Sequence, residues 1–352
     1  MLGSPIGLSS RIGVAGLMAV LLLGVLTTGC SARSEAVQRD DGRILVTAER
    51  PLMGTRFRID VVVAEESLGR RAIEAAFSEV RRSEQELSNW SETSQISEVN
   101  RAAGVAPVLV SHELMAVLDR ALFVSALTDG AFDVTFASCD GLWSVRRLRV
   151  PSDAEIAACL RHVDYRRVAL DHQASAVFVP DAEMRLGLAG LAKGYRVDRA
   201  AEVLTRYGVV DFVVDGGGDM RVSTGTGGEP WLIHVAHPRK PDRPLGSVAL
   251  TSGAIATSGD YQWYFETDGV RYHHIMDPAS GRPARRSIAA TVIAENAMDA
   301  DALATGLFVM GPERGIDLAE ELPGVEALVI APDLSVHASS GFPAIEPALE
   351  VS

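Results

Sequence analysis

The order of strand-like and helical segments is the feature that most constrains the fold of this chain. Residues 56–64 alternate and then become apolar, which predicts a strand, and residues 67–90 carry apolar side chains at helical spacing. Ser111 is in position to cap a second helix, and residues 190–207 form a third predicted helix that a glycine ends. Residues 166–180, before that third helix, are typical of a strand hairpin.

The second half of the chain consists mostly of predicted strands. Between residues 208 and 296, apolar runs alternate with glycine-containing turns, and a last helix at residues 298–311 precedes a short closing strand. No repeat or low-complexity linker interrupts the sequence. The pattern therefore predicts an α+β fold, a single compact domain of mixed or antiparallel sheets with flanking helices. A division into two lobes is left open.

Composition limits the kinds of partner. The chain has 352 residues, of which 47% are hydrophobic, so it can bury a sizeable core. Its formal net charge of −13 argues against nucleic acid or an anionic membrane surface as the main partner. A ligand that carries phosphate would need local help from a cation, a helix N-terminus or a few basic side chains.

The N-terminus predicts export. Arg11 precedes a short apolar run, and Gly29 and Cys30 follow it, which is typical of a secretory signal peptide over residues 1–29. A transmembrane anchor is disfavoured because the run falls short of the ~20 apolar residues that a span needs. Cys30 stands where bacterial lipoproteins carry lipid, although Thr27 replaces the more common Leu. We expect residues 30–48 to be this cysteine and a flexible tether, and residues 49–345 to be the folded domain.

Two further cysteines, Cys139 and Cys159, show no spacing typical of a metal site or a disulfide framework. They could pair in an oxidising compartment, and two separate buried thiols are an equal alternative.

Several short polar stretches stand where predicted elements end, as functional residues often do. On the last helix, Asp301 and Thr305 are four residues apart and therefore share one face, which suits either a cation or a solvated stripe. His274 and Asp277 lie at a strand end, where a histidine is suited to proton transfer. The alternative for His274 is a structural hydrogen bond to a carbonyl. From its own stretch, Trp90 is predicted to be a hydrophobic plug at a helix end.

Two glycine-rich stretches suggest phosphate binding. Lys193 lies among glycines at the opening of a helix, where free N–H groups favour phosphate, but no Ser or Thr follows it as a P-loop requires. The three glycines after Asp215 lead into a strand and not into a helix, so a Rossmann dinucleotide site is disfavoured. Asp133, after the second helix, could simply bind backbone N–H groups in a turn.

Taken in order, these stretches resemble the motifs of the FAD:protein FMN transferase family, the ApbE-like flavin transferases. The resemblance spans residues 50–335 and is carried by MGTRF, SNW, GAFDVT, GLAKGYRVD, GGGDMRV, TSGDY, HHIMDPASGRP and DALATGLFVMG. It implies an ApbE-like domain that uses Mg²⁺ and FAD to attach FMN, through its phosphate, to a Thr or Ser of an acceptor protein, releasing AMP. Many members are exported lipoproteins, which agrees with Cys30.

The resemblance also implies roles for individual residues. Asp301 and Thr305 would ligate Mg²⁺, helped by the backbone of Gly190 and Ala304. His274 would be the catalytic base, with Asp277 as its orienting partner or rival. The FAD-contacting positions form a larger set: Met53, Trp90, Ala131, Phe132, Asp133, Gly187, Lys193 and Ile275.

Two positions depart from the family pattern. Gly187 stands where the family usually has an Asp that helps to hold the nucleotide, and Asp215 replaces the usual Asn. The change at Gly187 would lower FAD affinity, shift nucleotide preference or require a partner to supply the carboxylate. Neither departure touches Asp301, Thr305 or His274.

The resemblance leaves two other functions open. One is a Mg²⁺-dependent FAD pyrophosphatase, in which water replaces the acceptor hydroxyl and yields FMN and AMP. The other is a non-catalytic exported flavin-binding lipoprotein, for which Gly187 is the best argument. For the transferase, the expected acceptor is an exported redox-complex subunit or flavocytochrome-like domain. We expect the protein to be a lipoprotein that faces the periplasm or cell exterior and contacts the membrane through its lipid anchor only.

Overall fold

The computed structural model describes residues 33–346, so the predicted signal peptide and Cys30 lie outside the described residues. The fold is α+β, as the sequence predicts. Its strands are β1 Arg33–Gln38, β2 Ile44–Leu52, β3 Thr55–Val63, β4 Val108–Leu109, β5 Ala169–Asp171, β6 Ala176–Phe178, β7 Phe212–Gly216, β8 Met220–Ser223, β9 Trp231–Ala236, β10 Pro244–Leu250, β11 Ser252–Gly259, β12 Tyr264–Thr267, β13 Val270–His273, β14 Met276–Asp277, β15 Arg282–Pro283, β16 Ala289–Ala294, β17 Glu326–Ile330 and β18 Val336–Ala338.

The helices include those that the sequence predicts. They are α1 Glu66–Leu87, α2 Gln95–Arg101, α3 His112–Leu127, α4 Asp153–Leu160, α5 Ala192–Arg206, α6 Ala297–Met310 and α7 Pro312–Glu321, with short 3-10 helices at Val134–Cys139 and Tyr165–Arg167. Ser111 caps α3 as expected, because its side chain accepts the Leu114 N–H. Within residues 33–346, no helix is long and apolar enough to cross a membrane.

A nine-stranded sheet organises the molecule. Its strand order is β1-β2-β3-β7-β8-β11-β16-β17-β18, and each neighbouring pair is antiparallel. Helices α1, α5 and α6 pack on one face, where one buried apolar cluster includes side chains from β2 through β17. The β9–β10 hairpin covers part of the other face through Trp231, Ile233 and Val248. Because both faces are covered, the central strands are apolar on both sides.

The predicted tether is wrong for residues 33–48. Strand β1 pairs with β2 from Arg33 opposite Glu49 to Gln38 opposite Ile44, so this segment is the edge of the main sheet. Its polar composition is misleading because an edge strand needs few buried side chains, and charged residues there oppose edge-to-edge pairing with other chains.

The two described cysteines form a disulfide. Cys139 and Cys159 have Cα atoms 5.4 Å apart and join the 3-10 helix Val134–Cys139 to α4. Of the two alternatives that the sequence left open, the paired form is therefore the one adopted. The link holds α4 beside the turn after β14, where a Cβ on Gly281 would lie 2.6 Å from Ile156.

Candidate active site

The centre of the site is the contact between α5 and α6. A Cβ at Gly194 would collide with the backbone carbonyl of Ala297, so only glycine permits this approach of the two helices. Asp301, which is 6% exposed, accepts the Gly194 N–H through Oδ2 at 3.0 Å. The first turn of α5 and the middle of α6 are thereby joined, and the Asp301 carboxylate is fixed beside Lys193.

Three charged groups lie at this contact: the buried carboxylates of Asp301 and Asp219 and the half-buried ammonium of Lys193. The Lys193 ammonium donates to the carboxylate of Asp219, which is 1% exposed. Burial raises the pKa of Asp219 well above its usual value, and the nearby Asp301 raises it further, against the opposing effect of Lys193. Burial alone would lower the pKa of Lys193, but Asp219, Asp301 and Asp215 more than reverse this and raise it. Two adjacent carboxylates and one ammonium carry a net negative charge when all three are ionised, which favours binding of a further cation.

Thr305 lies one helical turn beyond Asp301 on α6 and faces Gly190. A Cβ built on Gly190 would lie 3.7 Å from Thr305 Oγ1 and 2.8 Å from a ring carbon of Phe132, so the glycine lets these groups approach. The hydroxyls of Thr305 and Ser258 are 3.3 Å apart. Three of the four predicted metal-binding positions, Gly190, Asp301 and Thr305, therefore stand at one place, whereas the fourth, Ala304, is a buried neighbour at 1% exposure.

The donor set at this place is typical of a hard cation. It offers carboxylate and hydroxyl oxygens, which Mg²⁺ prefers. Within residues 33–346, no group of three His, Cys, Asp or Glu side chains is arranged as a metal site, so a thiolate- or imidazole-rich transition-metal centre lacks its ligands there.

The β2–β3 hairpin closes one side of the site. Its two-residue turn, Met53 and Gly54, has positive φ at both residues (52° and 68°), as a type I′ hairpin requires. A Cβ at Gly217 would collide with the Thr55 side chain, so the hairpin tip touches the glycine turn that precedes Asp219. Met53 is thereby placed at the edge of the cluster.

His274 is held in a defined tautomer. Its backbone N–H and its ring Nδ1 both approach the Trp263 carbonyl, at 3.1 Å and 3.3 Å. A carbonyl can only accept, so Nδ1 carries the proton and Nε2 keeps its lone pair. Although part of the ring is open to solvent, the protein atoms around it disfavour the charged form and lower the pKa of His274 to about 4; the charge of Lys193 contributes to the shift. The ring is a neutral proton acceptor near pH 7.

Neighbouring groups have structural contacts. His273 is buried, donates from Nε2 to the Ala284 carbonyl at 2.8 Å and accepts the Ile275 N–H at Nδ1. Asp277 accepts the Ala279 N–H at 2.9 Å and so builds the turn after β14. No hydrogen bond joins Asp277 to His274 in the described part of the chain. The hydrogen bond that orients the His274 ring in the described part of the chain is the one to the Trp263 carbonyl, and the role of Asp277 in catalysis stays a prediction.

The predicted FAD-contacting residues have different environments. Trp90 is 90% exposed, so the alternative of a hydrophobic plug is wrong. Both oxygens of Asp133 accept hydrogen bonds, from Thr135 and from the Tyr165 N–H, as the turn interpretation expects. Burial raises the pKa of Asp133, while those hydrogen bonds oppose the rise. Phe132 and Ile275 are buried and Ala131 is half-buried.

Gly187 lies against the helix that follows Asp133. Its N–H donates to the Val134 carbonyl at 2.8 Å, and a Cβ there would lie 2.7 Å from the Cβ of Ala137. The space that a side chain at position 187 would need is therefore occupied by Ala137.

Sequence reasoning missed Asp219 as a site residue. Its signal was an Asp directly after three glycines, but burial beside Lys193 is visible only in the fold. It also missed Asn89 and Asn100, whose side chains both bind the backbone of Leu186 and so hold the loop that leads to Gly187. Asn89 additionally accepts the Leu188 N–H at 2.9 Å.

Comparison with known sequences gives a consistent result. The sequence profile described as the ApbE family matches residues 53–329. An FAD:protein FMN transferase of Treponema pallidum (strain Nichols) is 33% identical over 352 aligned residues, covering 94% of this chain and 94% of that protein. An FAD:protein FMN transferase of Vibrio cholerae serotype O1 is 32% identical over 331 residues, covering 90% and 95% of the two chains.

Solved structures agree with the sequence matches. The ApbE protein of Thermotoga maritima superposes with a TM-score of 0.78 at 34% identity, over 88% of this chain and 98% of that one. The flavin transferase ApbE from Vibrio cholerae superposes with a TM-score of 0.73 at 30% identity, over 88% and 99%. These relatives define the class as an enzyme that transfers flavin. The chain belongs to the ApbE family of FAD:protein FMN transferases.

The lowered pKa of His274 gives a direct prediction. In an NMR titration of the free protein, the His274 imidazole should become protonated with a midpoint near pH 4, because the surrounding protein disfavours its charged form. His274→Gln, whose spectrum should lack this resonance, assigns it. A midpoint near 6.5 for His274 would show that the ring is hydrated and that the proposed desolvation is absent.

The close contact at Gly187 makes a second prediction. Gly187→Asp alone should fail to tighten FAD binding, because its Cβ must displace Ala137. Gly187→Asp combined with Ala137→Gly removes the collision and should bind FAD more tightly than Ala137→Gly alone. Fluorescence titration of FAD measures both affinities. Tighter binding by the single variant would show that the helix around Ala137 yields easily.

Proposed function

We propose that this enzyme transfers FMN from FAD to a Thr or Ser hydroxyl of an exported acceptor flavoprotein, in a Mg²⁺-dependent reaction that forms a phosphoester and releases AMP. The observation that supports this most is the buried Asp219–Lys193–Asp301 cluster beside Thr305, close enough to His274 for Lys193 to influence the pKa of the ring. A protein that only stored flavin would need neither a base with a lowered pKa nor this arrangement of charges. The non-catalytic alternative is therefore disfavoured.

The residues present fit a magnesium ion. Asp301, Thr305 and the backbone carbonyls of Gly190 and Ala304 would hold it. The charge of Asp301 raises the pKa of Asp219, because the two carboxylates repel each other. A divalent cation would stabilise both in their charged form. When bound, Mg²⁺ neutralises charge on the pyrophosphate that is cleaved.

The chain's own groups then carry the proton and position the reactants. Nε2 of His274 takes the proton of the acceptor hydroxyl, since Nδ1–H is held by Trp263. The hydroxyl oxygen forms a bond to the phosphorus of the FMN half, and the bridging P–O bond breaks, with the electron pair leaving on AMP. Water in place of the hydroxyl would give FMN and AMP, so the same geometry also allows the pyrophosphatase reaction.

FAD would lie along the surface between the β2–β3 hairpin and the His274 strand. The exposed ring of Trp90 offers a flat face on which an aromatic ring can stack. Met53, Lys193 and the segment Ala131–Asp133 border the same region, and Ile275 lies beside the base. The acceptor would be an exported redox-complex subunit or flavocytochrome-like domain with a Ser/Thr-Gly-Ala-Thr-like segment.

Asp301→Asn tests the metal site while preserving the helix contact. The amide oxygen can still accept the Gly194 N–H, so the fold should persist, but the lost charge should reduce Mg²⁺-dependent turnover by at least about 100-fold. The assay combines FAD, Mg²⁺ and a Thr-containing acceptor domain, and follows AMP by chromatography and acceptor mass by spectrometry, with a chelated control.

Asp299→Asn is the matched control. Asp299 lies two residues away on α6 and binds Arg120 outside the cluster, so this variant should retain turnover. Equal activity of Asp301→Asn and the wild type would remove the metal hypothesis. AMP and free FMN without an acceptor adduct would identify the wild-type enzyme as a pyrophosphatase.

We propose that the protein is anchored through lipid on Cys30 and faces the periplasm or cell exterior; the signal-like sequence of residues 1–29 supports this. Full-length protein expressed in a bacterial host with labelled palmitate should incorporate the label and partition into detergent. Cys30→Ala should lose both properties while retaining transfer activity, since the folded domain is unchanged. Label that persists in Cys30→Ala would contradict lipidation at this position.

A further inference from the structure

A concave pocket of about 200 Å³ lies directly beside Asp277. Its wall is the β14–β15 hairpin and the loop that follows, and it carries the side chains of Ser280, Arg282, Arg285 and Arg286, with Val309 of α6 at its base. We call these four polar residues the arginine pocket.

The arginine pocket carries more positive than negative charge, because its three arginines face one lining carboxylate, that of Asp277. Arg285 and Arg286 are exposed and form no ion pair with an Asp or Glu in the described part of the chain; the guanidinium of Arg285 lies 5.9 Å from the ring centre of Tyr272. Arg282 contacts Asp153, whose side chain is itself 91% exposed. In a chain of net charge −13, this is a local positive site with room for an anionic group.

The arginine pocket adjoins the candidate active site. Val309 follows Thr305 by four residues and Asp301 by eight on α6, so the three share one helix face at about 5.4 Å per turn. Ala284, in the loop that lines the pocket, is also hydrogen-bonded to the residues on either side of His274. The Ala284 N–H donates to the Ile275 carbonyl at 3.0 Å, and the Ala284 carbonyl accepts from His273 at 2.8 Å.

An exposed aromatic side chain lies next to the same base. Trp263 is 54% exposed, and its carbonyl is the group that holds His274. The segments on either side of His274 in sequence thus carry an exposed indole and two guanidinium groups without an acidic partner in the described part of the chain. Arginine and aromatic side chains are the residues most enriched in protein–protein interfaces.

We propose that Trp263 and the arginine pocket form the docking surface for the acceptor protein, with an acidic side chain of the acceptor bound by Arg285 and Arg286. The inference rests on the proposed transfer reaction, which requires an acceptor hydroxyl to reach His274. The pocket volume favours a side chain over a nucleotide, because small-molecule sites usually measure about 300–1,000 Å³. The exposure of both arginines favours a partner that arrives from solvent.

The test separates acceptor recognition from flavin binding. The probe is an acceptor domain with a Ser-Gly-Ala-Thr segment, assayed by adduct mass with FAD and Mg²⁺. Arg285→Ala with Arg286→Ala should lower kcat/KM for the acceptor about tenfold and flatten its dependence on salt, because charges at an interface rim act mainly on association. The dissociation constant for FAD should stay unchanged.

Trp263→Ala retains the backbone carbonyl that holds His274. It should likewise lower kcat/KM for the acceptor and leave the dissociation constant for FAD unchanged. Arg71→Ala, an exposed arginine on α1, is the control.

Acceptor variants identify the partner charge. Changing Asp and Glu beside the modified segment to Asn and Gln should reduce kcat/KM with the wild-type enzyme, and should have no further effect with the double Arg variant. If the double Arg variant forms the adduct with an unchanged kcat/KM, the proposed docking surface is wrong, while the proposed transfer reaction still holds. Weaker FAD binding would assign the pocket to the nucleotide and likewise overturn it. If the wild type forms no adduct at all, the proposed function fails and the docking surface fails with it.

Discussion

The hydrogen bond from the Gly194 N–H to the Asp301 carboxylate is the contact on which the site depends. It joins residues 107 apart in sequence and exists only because Gly194 lets α5 approach the first turn of α6. Once the two helices are fixed, Lys193 must lie beside Asp301, and Thr305 must face Gly190. A side chain at position 194 would separate these groups even if every one of them were retained.

Electrostatics explains why the cluster is buried and still polar. Two neighbouring carboxylates from which the protein excludes water repel each other when both are charged, and one ammonium offsets only part of that cost. The remaining repulsion between the carboxylates favours the binding of a divalent cation. The protein atoms around the His274 ring, together with the charge of Lys193 from the same cluster, lower its pKa, so that the ring stays a neutral proton acceptor near pH 7.

The sequence predicted the long periodic elements and the residues with a local signal. Helices α1, α3, α5 and α6 were predicted from apolar spacing and capping residues, and the Asp301–Thr305 spacing correctly indicated a shared helix face. The edge strand β1 was missed because its partner, and not its own composition, stabilises it. Helix α7 was not predicted because it is short and opens with Pro312, which is typical both of a turn and of a first helical residue.

The sequence by itself determined which chemical groups this protein carries and which of them share a helix or a turn, because such relations depend on neighbours a few residues apart. Only the tertiary structure decided that Asp219 lies beside Lys193, that Cys139 pairs with Cys159, and that Ala137 fills the space next to Gly187. It also decided which nitrogen of His274 is free, since the Trp263 carbonyl that binds the other one lies opposite His274 at the open end of the β12–β13 hairpin. Each of these facts is a contact between separate segments of chain, which packing alone brings together.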